Sequence, residues 1–351
     1  MKSLNKILTG IIGIVFSLLV GALLIKIQGN SPIIAYKALY DYGLGSWFSI
    51  TSTLNNSTPL ILTGIAAAIA FSSNVNNLGQ PGQLIIGALS AALLGYYLPF
   101  PGWIGITTII ILSGIIGGFY ASIAGVFKKL YKMDEMLTTL MLNFIADYLT
   151  IYLATYPFLD KKSYVPATKM IKKEFFLPSF KNLNSSFFIA ILIALISYFI
   201  VKYLKKGYEW RMMGYNPDFS RIGGCDNEQN LMWVMFYTGF LSGLAGALLI
   251  LGGTQHRFIK GIGANYGWDG IMLSIVGANG IFETSFFSLF FGFLKAGGVG
   301  MEFEVSIPSE FIMVLQATIV LLVVSTRSLV SFYGDKMKAY FKTRKVVKAH
   351  E

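Results

Sequence analysis

The chain has few of the residues from which enzymes build their active sites. Two of its 351 residues are His (His256 and His350) and one is Cys (Cys225), which excludes an internal disulfide and a Cys-based metal cluster. The motifs HExxH, GxSxG and GxxxxGK[ST] do not occur, so this chain has no P-loop with which to hydrolyse ATP. These absences favour transport over catalysis, and they predict neither a cofactor nor a metal site.

Charge is also scarce. Charged residues make up 13% of the chain and hydrophobic residues 54%, whereas a soluble domain carries about 25% charged residues. The apolar runs are continuous and roughly 17–25 residues long, which is the length of a helix that crosses a bilayer. Strands of a membrane β-barrel would alternate instead. We therefore predict an all-α, polytopic transmembrane helix bundle in the plasma membrane.

Ten apolar segments set the expected topology. They cover residues 7–27, 58–74, 78–98, 103–127, 136–158, 186–204, 230–252, 267–281, 284–301 and 310–330. The eighth is short and rich in Gly, and could be re-entrant or broken. An even number places both termini on one side, and most Lys and Arg then fall on that side, apart from those of the Lys-rich loop 159–185. This bias predicts N-in and C-in, and it explains the net charge of +11 without a nucleic-acid partner.

The chain reads as one transmembrane domain over residues 1–351. Its parts are a retained first span with an outer loop (1–57), a core (58–330) and a basic cytoplasmic tail (331–351). Within the first part, Pro32–Tyr42 could form a helix that lies at the membrane interface. The outer loops 28–57 and 159–185 could meet an extracellular partner or could simply be solvated.

A polar break separates the second and third segments. Residues 74–83 read NVNNLGQPGQ, and Pro with Gly argues against a continuous helix. Irregular backbone at membrane depth is tolerated where it is buried in protein or lines an aqueous cavity. Its amides could contact a neutral polar solute, or the segment could be a polar turn before a helix. The candidate residues of a translocation path are Asn76, Asn77, Gln80, Gln83, Asn143 and Asp147.

Polar residues of the later segments leave more than one interpretation open. Asn143 and Asp147 are four residues apart and share a helix face; the carboxylate should face the bundle interior or a pore, as a path residue or in helix–helix hydrogen bonding. Asp269, Glu283 and Lys295 could pair with each other or lie at interfaces. Small residues at helical spacing predict close helix packing: Gly239, Gly243, Gly246, Gly292, Gly297 and Gly298.

The loop 205–230 is longer than a turn between two spans requires. It reads KKGYEWRMMGYNPDFSRIGGCDNEQN, a compact polar block that predicts a binding surface for another protein; the alternative is an ordinary solvated loop. Asn216 and Pro217 suit the start of a short helix, with Asn as its N-cap and Pro in its first position.

Several blocks of the sequence carry a resemblance to a known family. They are Asn77–Leu94 (NLGQPGQLIIGALSAALL), Glu135–Ala146 (EMLTTLMLNFIA), Trp210–Gly224, Tyr266–Gly277, Phe291–Gly298 and Pro308–Gln316. In collinear order over roughly residues 58–330, they resemble permease subunits of ATP-binding-cassette (ABC) importers in the branched-chain amino acid, ribose and nucleoside group, and most of all the nucleoside branch. The departures at Pro81, Ser220 and Asp147 bear on the substrate more than on the fold.

The resemblance implies a function and a set of partners. It implies a permease that dimerises, often with a second homologous permease, and that moves nucleosides or a related sugar into the cell. Two cytoplasmic ATPase subunits would dock on the loop 205–230, and an extracellular substrate-binding protein would deliver the solute. The residues that would shape the ATPase-coupling loop are Arg211, Gly214, Asn216, Pro217 and Gly224.

A different class of transporter remains the alternative. A secondary transporter would work alone on an ion gradient and would use an intramembrane acid such as Asp147 together with broken helices near the midplane. A membrane-embedded enzyme would need a nucleophile or metal dyad within its spans, and no convincing pair stands out in the sequence.

Overall fold

A computed structural model describes residues 2–263, 265–308 and 310–326, with side chains from residue 12 onward. The helices are α1 (Lys2–Ile27), α2 (Pro32–Gly43), α3 (Trp47–Ser72), α4 (Gln80–Tyr97), α5 (Gly102–Tyr131), α6 (Glu135–Thr155), α7 (Ser185–Tyr203), α8 (Lys205–Tyr215), α9 (Pro217–Ile222), α10 (Asn227–Gly252), α11 (Tyr266–Val276), α12 (Ile281–Val305) and α13 (Phe311–Thr326). A 3₁₀ turn (Lys173–Phe175) and two paired two-residue strands, β1 (Ser179–Phe180) and β2 (Leu183–Asn184), precede α7. The expected all-α bundle is confirmed.

Among the described residues, six helices are long and apolar enough to cross a membrane: α3, α5, α6, α7, α10 and α12. Shorter apolar helical stretches occupy Ile12–Ile27 and Phe311–Thr326. The predicted basic tail 331–351 and the last residues of the tenth segment lie outside the described residues. Side-chain caps position the starts of several helices, because Asp134, Asn184 and Asp226 each accept a backbone N–H of the first turn of α6, α7 and α10.

The second segment was predicted to begin at residue 58, after an outer loop over residues 28–57. This boundary is wrong. The loop contains α2, and α3 begins at Trp47, well before residue 58. The sequence hides this start because residues 49–58 are rich in Ser, Thr and Asn. The side chains of Thr51, Asn56 and Ser57 donate hydrogen bonds to backbone carbonyls of the preceding turn. The helix therefore accommodates these polar side chains without leaving them unsatisfied.

Helix α3 lies at the centre of the bundle, and glycines let its neighbours pack closely. A Cβ on Gly292 of α12 would lie 2.7 Å from the Thr53 carbonyl oxygen of α3. In α10, a Cβ on Gly243 would lie 2.6 Å from the Ser113 carbonyl oxygen of α5. The predicted packing role of these glycines is therefore confirmed.

The bundle has two ends, which we call the α8 end and the opposite end. At the α8 end, Gly214 of α8 meets Ser72, the last residue of α3. At the opposite end, the β1–β2 turn covers the start of α3, because the Trp47 indole donates to the Lys181 carbonyl (2.7 Å) and the Asn55 amide to the Asn182 carbonyl (2.9 Å). Helices α1 and α13 are antiparallel, since Gly13 packs on Val323 and Gly21 on Leu315.

Two helices begin inside the bundle and not at either end. Asn77, just before α4, bonds Thr238 of α10, and Thr238 lies about 16 Å along its helix from Asn227. The start of α11 meets the start of α4 there, because a Cβ on Gly267 would lie 2.4 Å from the Pro81 nitrogen. The predicted break in the helix is confirmed, although it is shorter than residues 74–83, because α4 already begins at Gln80. The irregularity predicted for the eighth segment corresponds to the interior start of α11.

Candidate functional site

The loop 205–230 folds into two short helices with the predicted start. Asn216 caps α9 by accepting a hydrogen bond from the Phe219 backbone N–H (3.0 Å), and Pro217 is the first helical residue. Gly224 has φ +83°, a left-handed conformation that favours glycine, and follows the end of α9. The sequence therefore fixes the length and direction of α9 at both of its ends.

Helix α8 is anchored to the ends of the membrane helices. Trp210 and Met213 are buried, and the Trp210 ring packs 5.7 Å from that of Tyr237 in α10. A Cβ on Gly214 would lie 1.9 Å from the Ser72 carbonyl oxygen of α3. The Arg211 guanidinium donates to the carbonyls of Gly207 and Lys202, so α8 is also held against the end of α7.

The outer surface of these two helices carries three exposed apolar side chains among polar ones. Tyr215 is 85% exposed, Phe219 59% and Ile222 86%. Solitary exposed apolar residues need no explanation, whereas three that project from one compact, capped element are typical of a protein-binding surface.

Asn77 organises the polar break. Its side-chain oxygen accepts hydrogen bonds from the Gly79 backbone N–H and from the Gln83 amide, both at 2.9 Å. Its amide nitrogen donates to the Thr238 hydroxyl at 2.9 Å. Asn77 is fully buried and Gln83 is 1% exposed, so this pair holds the irregular backbone against α10.

Asn143 of α6 binds the same segment from the other side. Its amide donates to the Leu78 carbonyl, and its oxygen accepts from the Gly82 backbone N–H, both at 2.9 Å. The Thr139 hydroxyl, one turn earlier, accepts from the Leu78 N–H (3.1 Å). In this conformation, Asn77, Gln83 and Asn143 are satisfied by protein, which is the expectation for structural amides.

Gln80, the first residue of α4, differs from these amides. Its side chain is completely buried, and both its amide nitrogen and its amide oxygen lack a hydrogen-bond partner in the described part of the chain. Leaving a buried amide without partners costs about 1–3 kcal/mol. Gln80 is therefore the predicted path residue whose side chain has unused hydrogen-bonding capacity for water or solute.

The interior start of α11 carries polar residues that sequence reasoning did not assign to a path. Lys295 of α12 forms an ion pair with Asp269 (Nζ to Oδ2, 2.8 Å) and lies 5.0 Å from the centre of the Tyr266 ring. The Tyr266 hydroxyl donates to the Asn56 side chain (3.0 Å). The charges of Asp269 and Lys295 are visible in the sequence and suggested a possible pair. Which residues pair could not be predicted, because the pairing depends on the contact between α11 and α12.

Comparison with known proteins places the chain in a family. The model of the "Branched-chain amino acid transport system / permease component" family matches residues 49–324. The chain belongs to this family. It is a multi-pass integral membrane permease component, and such a component is not itself an enzyme.

Individual relatives cover most of the permease. It is 30% identical over 342 residues to the guanosine ABC transporter permease protein NupP of Bacillus subtilis, covering 96% of this chain and 98% of the relative. It is 29% identical to the nucleoside ABC transporter permease protein NupB of Lactococcus lactis over 90% of both chains. The glucose ABC transporter permease protein TsgB13 of Haloferax volcanii is 24% identical, over 91% of this chain and 87% of the relative. No solved structure matches the chain.

The remaining two path candidates of the permease are exposed. Asn76 lies on the surface at the α8 end of the break, and Asp147 lies on the exposed face of α6. Asp147 therefore does not face the interior of this chain, although Asn143 of the same helix contacts α4; the other half of the expectation, that it faces a pore, stays a prediction. Their role in a path stays a prediction.

Replacing Asn77 tests whether the polar break is held as described. Asn77→Ala would remove three hydrogen bonds of 2.9 Å and leave the Gln83 amide and Thr238 hydroxyl short of a partner. We expect a loss of about 2–3 kcal/mol, seen as a clear fall in the melting temperature of the purified permease. Asn76→Ala, next to it and exposed, should melt like the native protein; equal melting of the two variants would contradict this role.

The opposite end contains a pH-sensitive contact. Burial lowers the pKa of His256, while its contact with the Ile250 carbonyl (3.2 Å) raises it less; the ring stacks on Phe176 with centroids 3.5 Å apart. The folded state binds a proton less readily than the unfolded chain, so stability falls as the pH drops below the ordinary His pKa of about 6.5. The melting temperature of the native permease should decline more between pH 8 and pH 5 than that of His256→Asn. Equal slopes would exclude His256 as the cause.

Proposed function

We propose that the protein is the transmembrane permease subunit of an ATP-driven ABC importer that moves nucleosides, or a related sugar, into the cell. The observation that carries the proposal is the near full-length similarity to guanosine and nucleoside ABC permeases. The capped and anchored α8–α9 element supports it, because a permease without a P-loop needs a firm contact with a separate ATPase.

The proposed topology has ten membrane segments with both termini in the cytoplasm. The α8 end is then cytoplasmic. The sequence-based domain limits 1–57, 58–330 and 331–351 are kept, except that the core begins with α3 at Trp47 and not at residue 58. Six long apolar helices, the apolar stretches of α1 and α13, and the interior starts of α4 and α11 support this count. The antiparallel packing of α1 and α13 supports an N-in and C-in arrangement.

Two cytoplasmic ATPase subunits would bind one α8–α9 element each, on this permease and on a second, homologous permease. Tyr215, Phe219 and Ile222 would enter an apolar groove of the ATPase, and Arg211, Gly214, Asn216, Pro217 and Gly224 would set the shape of the element. An extracellular substrate-binding protein would deliver the solute at the opposite end. The Lys-rich loop 159–185 lies at that end and would contact the binding protein.

Force from the ATPases would reach the interior through α3. Gly214 touches Ser72 at one end of this helix, and about 14 Å away the Thr63 hydroxyl of α3 contacts the Tyr266 carbonyl (3.0 Å) at the start of α11. A shift of α8 would therefore move the interior starts of α11 and α4. Rearrangement there would open and close a path beside Gln80, Tyr266 and Lys295, with Asn76, Asn77, Gln83, Asn143 and Asp147 as the further path candidates.

A nucleoside suits the chemistry of this interior region. It is neutral and polar, with ribose hydroxyls and base edges that donate and accept hydrogen bonds. The Gln80 amide can do both, the Lys295 ammonium donates, and the Asp269 carboxylate accepts. Tight substrate selection would remain with the binding protein.

Uptake of radiolabelled guanosine tests the proposal. Cells that carry the gene should lose uptake on ATP depletion and keep it when the proton gradient collapses with ATP maintained. Replacement of Phe219 by Asp should abolish uptake and co-purification of the ATPase. Phe303→Asp, an exposed residue in the last turn of α12, at the opposite end and outside the loops 28–57 and 159–185, should retain both. Uptake that depends on the gradient alone would favour a secondary transporter and refute the importer.

A further inference from the structure

A large groove opens between α7, α8 and the start of α12. Its volume is about 1180 Å³, and neither Gln80 nor Lys295 lines it. Much of its lining is apolar, formed by Ile191, Ala194, Leu195, Ile281, Phe286 and Leu289. Leu195 is 62% exposed and Phe286 41%, so the groove is open along its length.

The α8 end of the groove is basic. Lys202 is exposed and Arg211 is partly exposed, and both line the groove. In the described part of the chain, neither forms an ion pair with a carboxylate. Glu283 also lines the groove, but it is 8% exposed and lies against Gly280 at the start of α12. The exposed charge at this end is therefore positive.

The dimensions match one leaflet of a bilayer. Ile191 and Lys202 lie about 16 Å apart along α7, close to half of the roughly 30 Å hydrocarbon thickness. Tyr198 and Tyr203 flank Lys202 and are 38% and 61% exposed, as expected for residues at the level of lipid headgroups. The Lys202 ammonium donates to the Tyr198 hydroxyl (2.6 Å) and retains further N–H groups for a phosphate.

We propose that this groove binds an anionic phospholipid of the cytoplasmic leaflet, with its phosphate at Lys202 and Arg211 and an acyl chain along α7 and α12. The assignment to the cytoplasmic leaflet rests on the proposed topology. The lipid would lie beside α8 and the α11–α12 turn, where it would contact the elements that the ATPases move. Basic pockets between membrane helices on this side are suited to anionic headgroups.

Lipid retention by the purified transporter, with its partner subunits present, tests the proposal. After incubation with equal amounts of dioleoyl phosphatidylglycerol and dioleoyl phosphatidylcholine, native mass spectrometry should show preferential retention of phosphatidylglycerol. Lys202→Gln should lower that retention about tenfold, because this factor corresponds to the lower end of the free energy of a hydrogen bond to a charged group. Lys202→Arg should restore the retention. Lys173→Gln, an exposed lysine at the opposite end, should have no effect.

A second variant separates the groove from the charge. Ser285→Phe would fill the apolar part, and it should reduce retention of both lipids. Equal retention of the two lipids by the native protein, or unchanged phosphatidylglycerol in Lys202→Gln, would overturn the proposal. Displacement by inorganic phosphate would identify a free-phosphate site, and cross-linking of Phe286→Cys to the second permease would show a protein interface; either result would also overturn it. Lipid retention needs no uptake, so it can fail while guanosine transport stands.

Discussion

Gly214→Ala is expected to reduce uptake at least tenfold while the ATPase subunits remain bound. The added Cβ would lie 1.9 Å from the Ser72 carbonyl oxygen and 2.8 Å from the Ser72 carbonyl carbon. Both are backbone atoms at the end of a central helix, so α8 must move away from α3. Overpacking of this kind costs about 1–3 kcal/mol, and a 1.4 kcal/mol change corresponds to a factor of ten.

The measurements are solute uptake, ATP hydrolysis and co-purification of the ATPase from the same preparation. The exposed surface of Tyr215, Phe219 and Ile222 is unchanged by the substitution, so the ATPase should still bind and hydrolyse ATP. Hydrolysis would no longer respond to the substrate-loaded binding protein, because the contact between α8 and α3 is altered. A loss of assembly together with uptake would show instead that Gly214 maintains the docking surface.

Gly223→Ala is the matched control. Gly223 lies in the same element with an ordinary φ of −72°, and a Cβ there would meet its nearest atoms at 3.4 Å, in van der Waals contact. Uptake and hydrolysis should stay near native values. Equal loss in Gly214→Ala and Gly223→Ala would mean that the element tolerates no added side chain, and it would remove the argument for a specific α8–α3 contact.

Local signals in the sequence predicted the start of α9 and the polar break. Three features act within a few residues: an Asn-Pro pair at the start of α9, a Gly with positive φ after its end, and Gly79 with Pro81 at the start of α4. Such features can be recognised without knowledge of the tertiary structure, because the cap and the break form from neighbouring backbone groups.

Features that depend on packing could not be predicted in the same way. The start of α3 at Trp47 was missed because its polar side chains are satisfied within the helix and by neighbours such as the β1–β2 turn. Asp147 was expected to face the bundle interior or a pore; it is exposed in this chain, because Asn143 and Thr139 set the side of α6 that meets α4. The interior meeting of α4 and α11 depends on residues almost 190 positions apart in the sequence, Pro81 and Gly267.

Lys295→Ala is expected to lose both stability and transport. Asp269 and Lys295 form an ion pair in which the Asp269 side chain is 4% exposed and the Lys295 side chain 20% exposed. Removal of the lysine would leave a buried carboxylate without its counter-charge, at a cost of about 3–5 kcal/mol. The purified permease should melt at a much lower temperature, and its yield from membranes should fall. Lys132→Ala, which breaks the exposed pair with Glu228, should cost at most about 1 kcal/mol.

The double variant Asp269→Asn/Lys295→Met separates the structural role of the pair from a role in transport. It removes both charges together, so no unpaired ion is buried and most of the lost melting temperature should return. If the pair contacts solute beside Tyr266 and Gln80, uptake should stay low in this stable protein, because the donor and acceptor charges are missing from the path. Native uptake by the double variant would show that Asp269 and Lys295 only join α11 to α12, and the path would then have to lie elsewhere in the bundle.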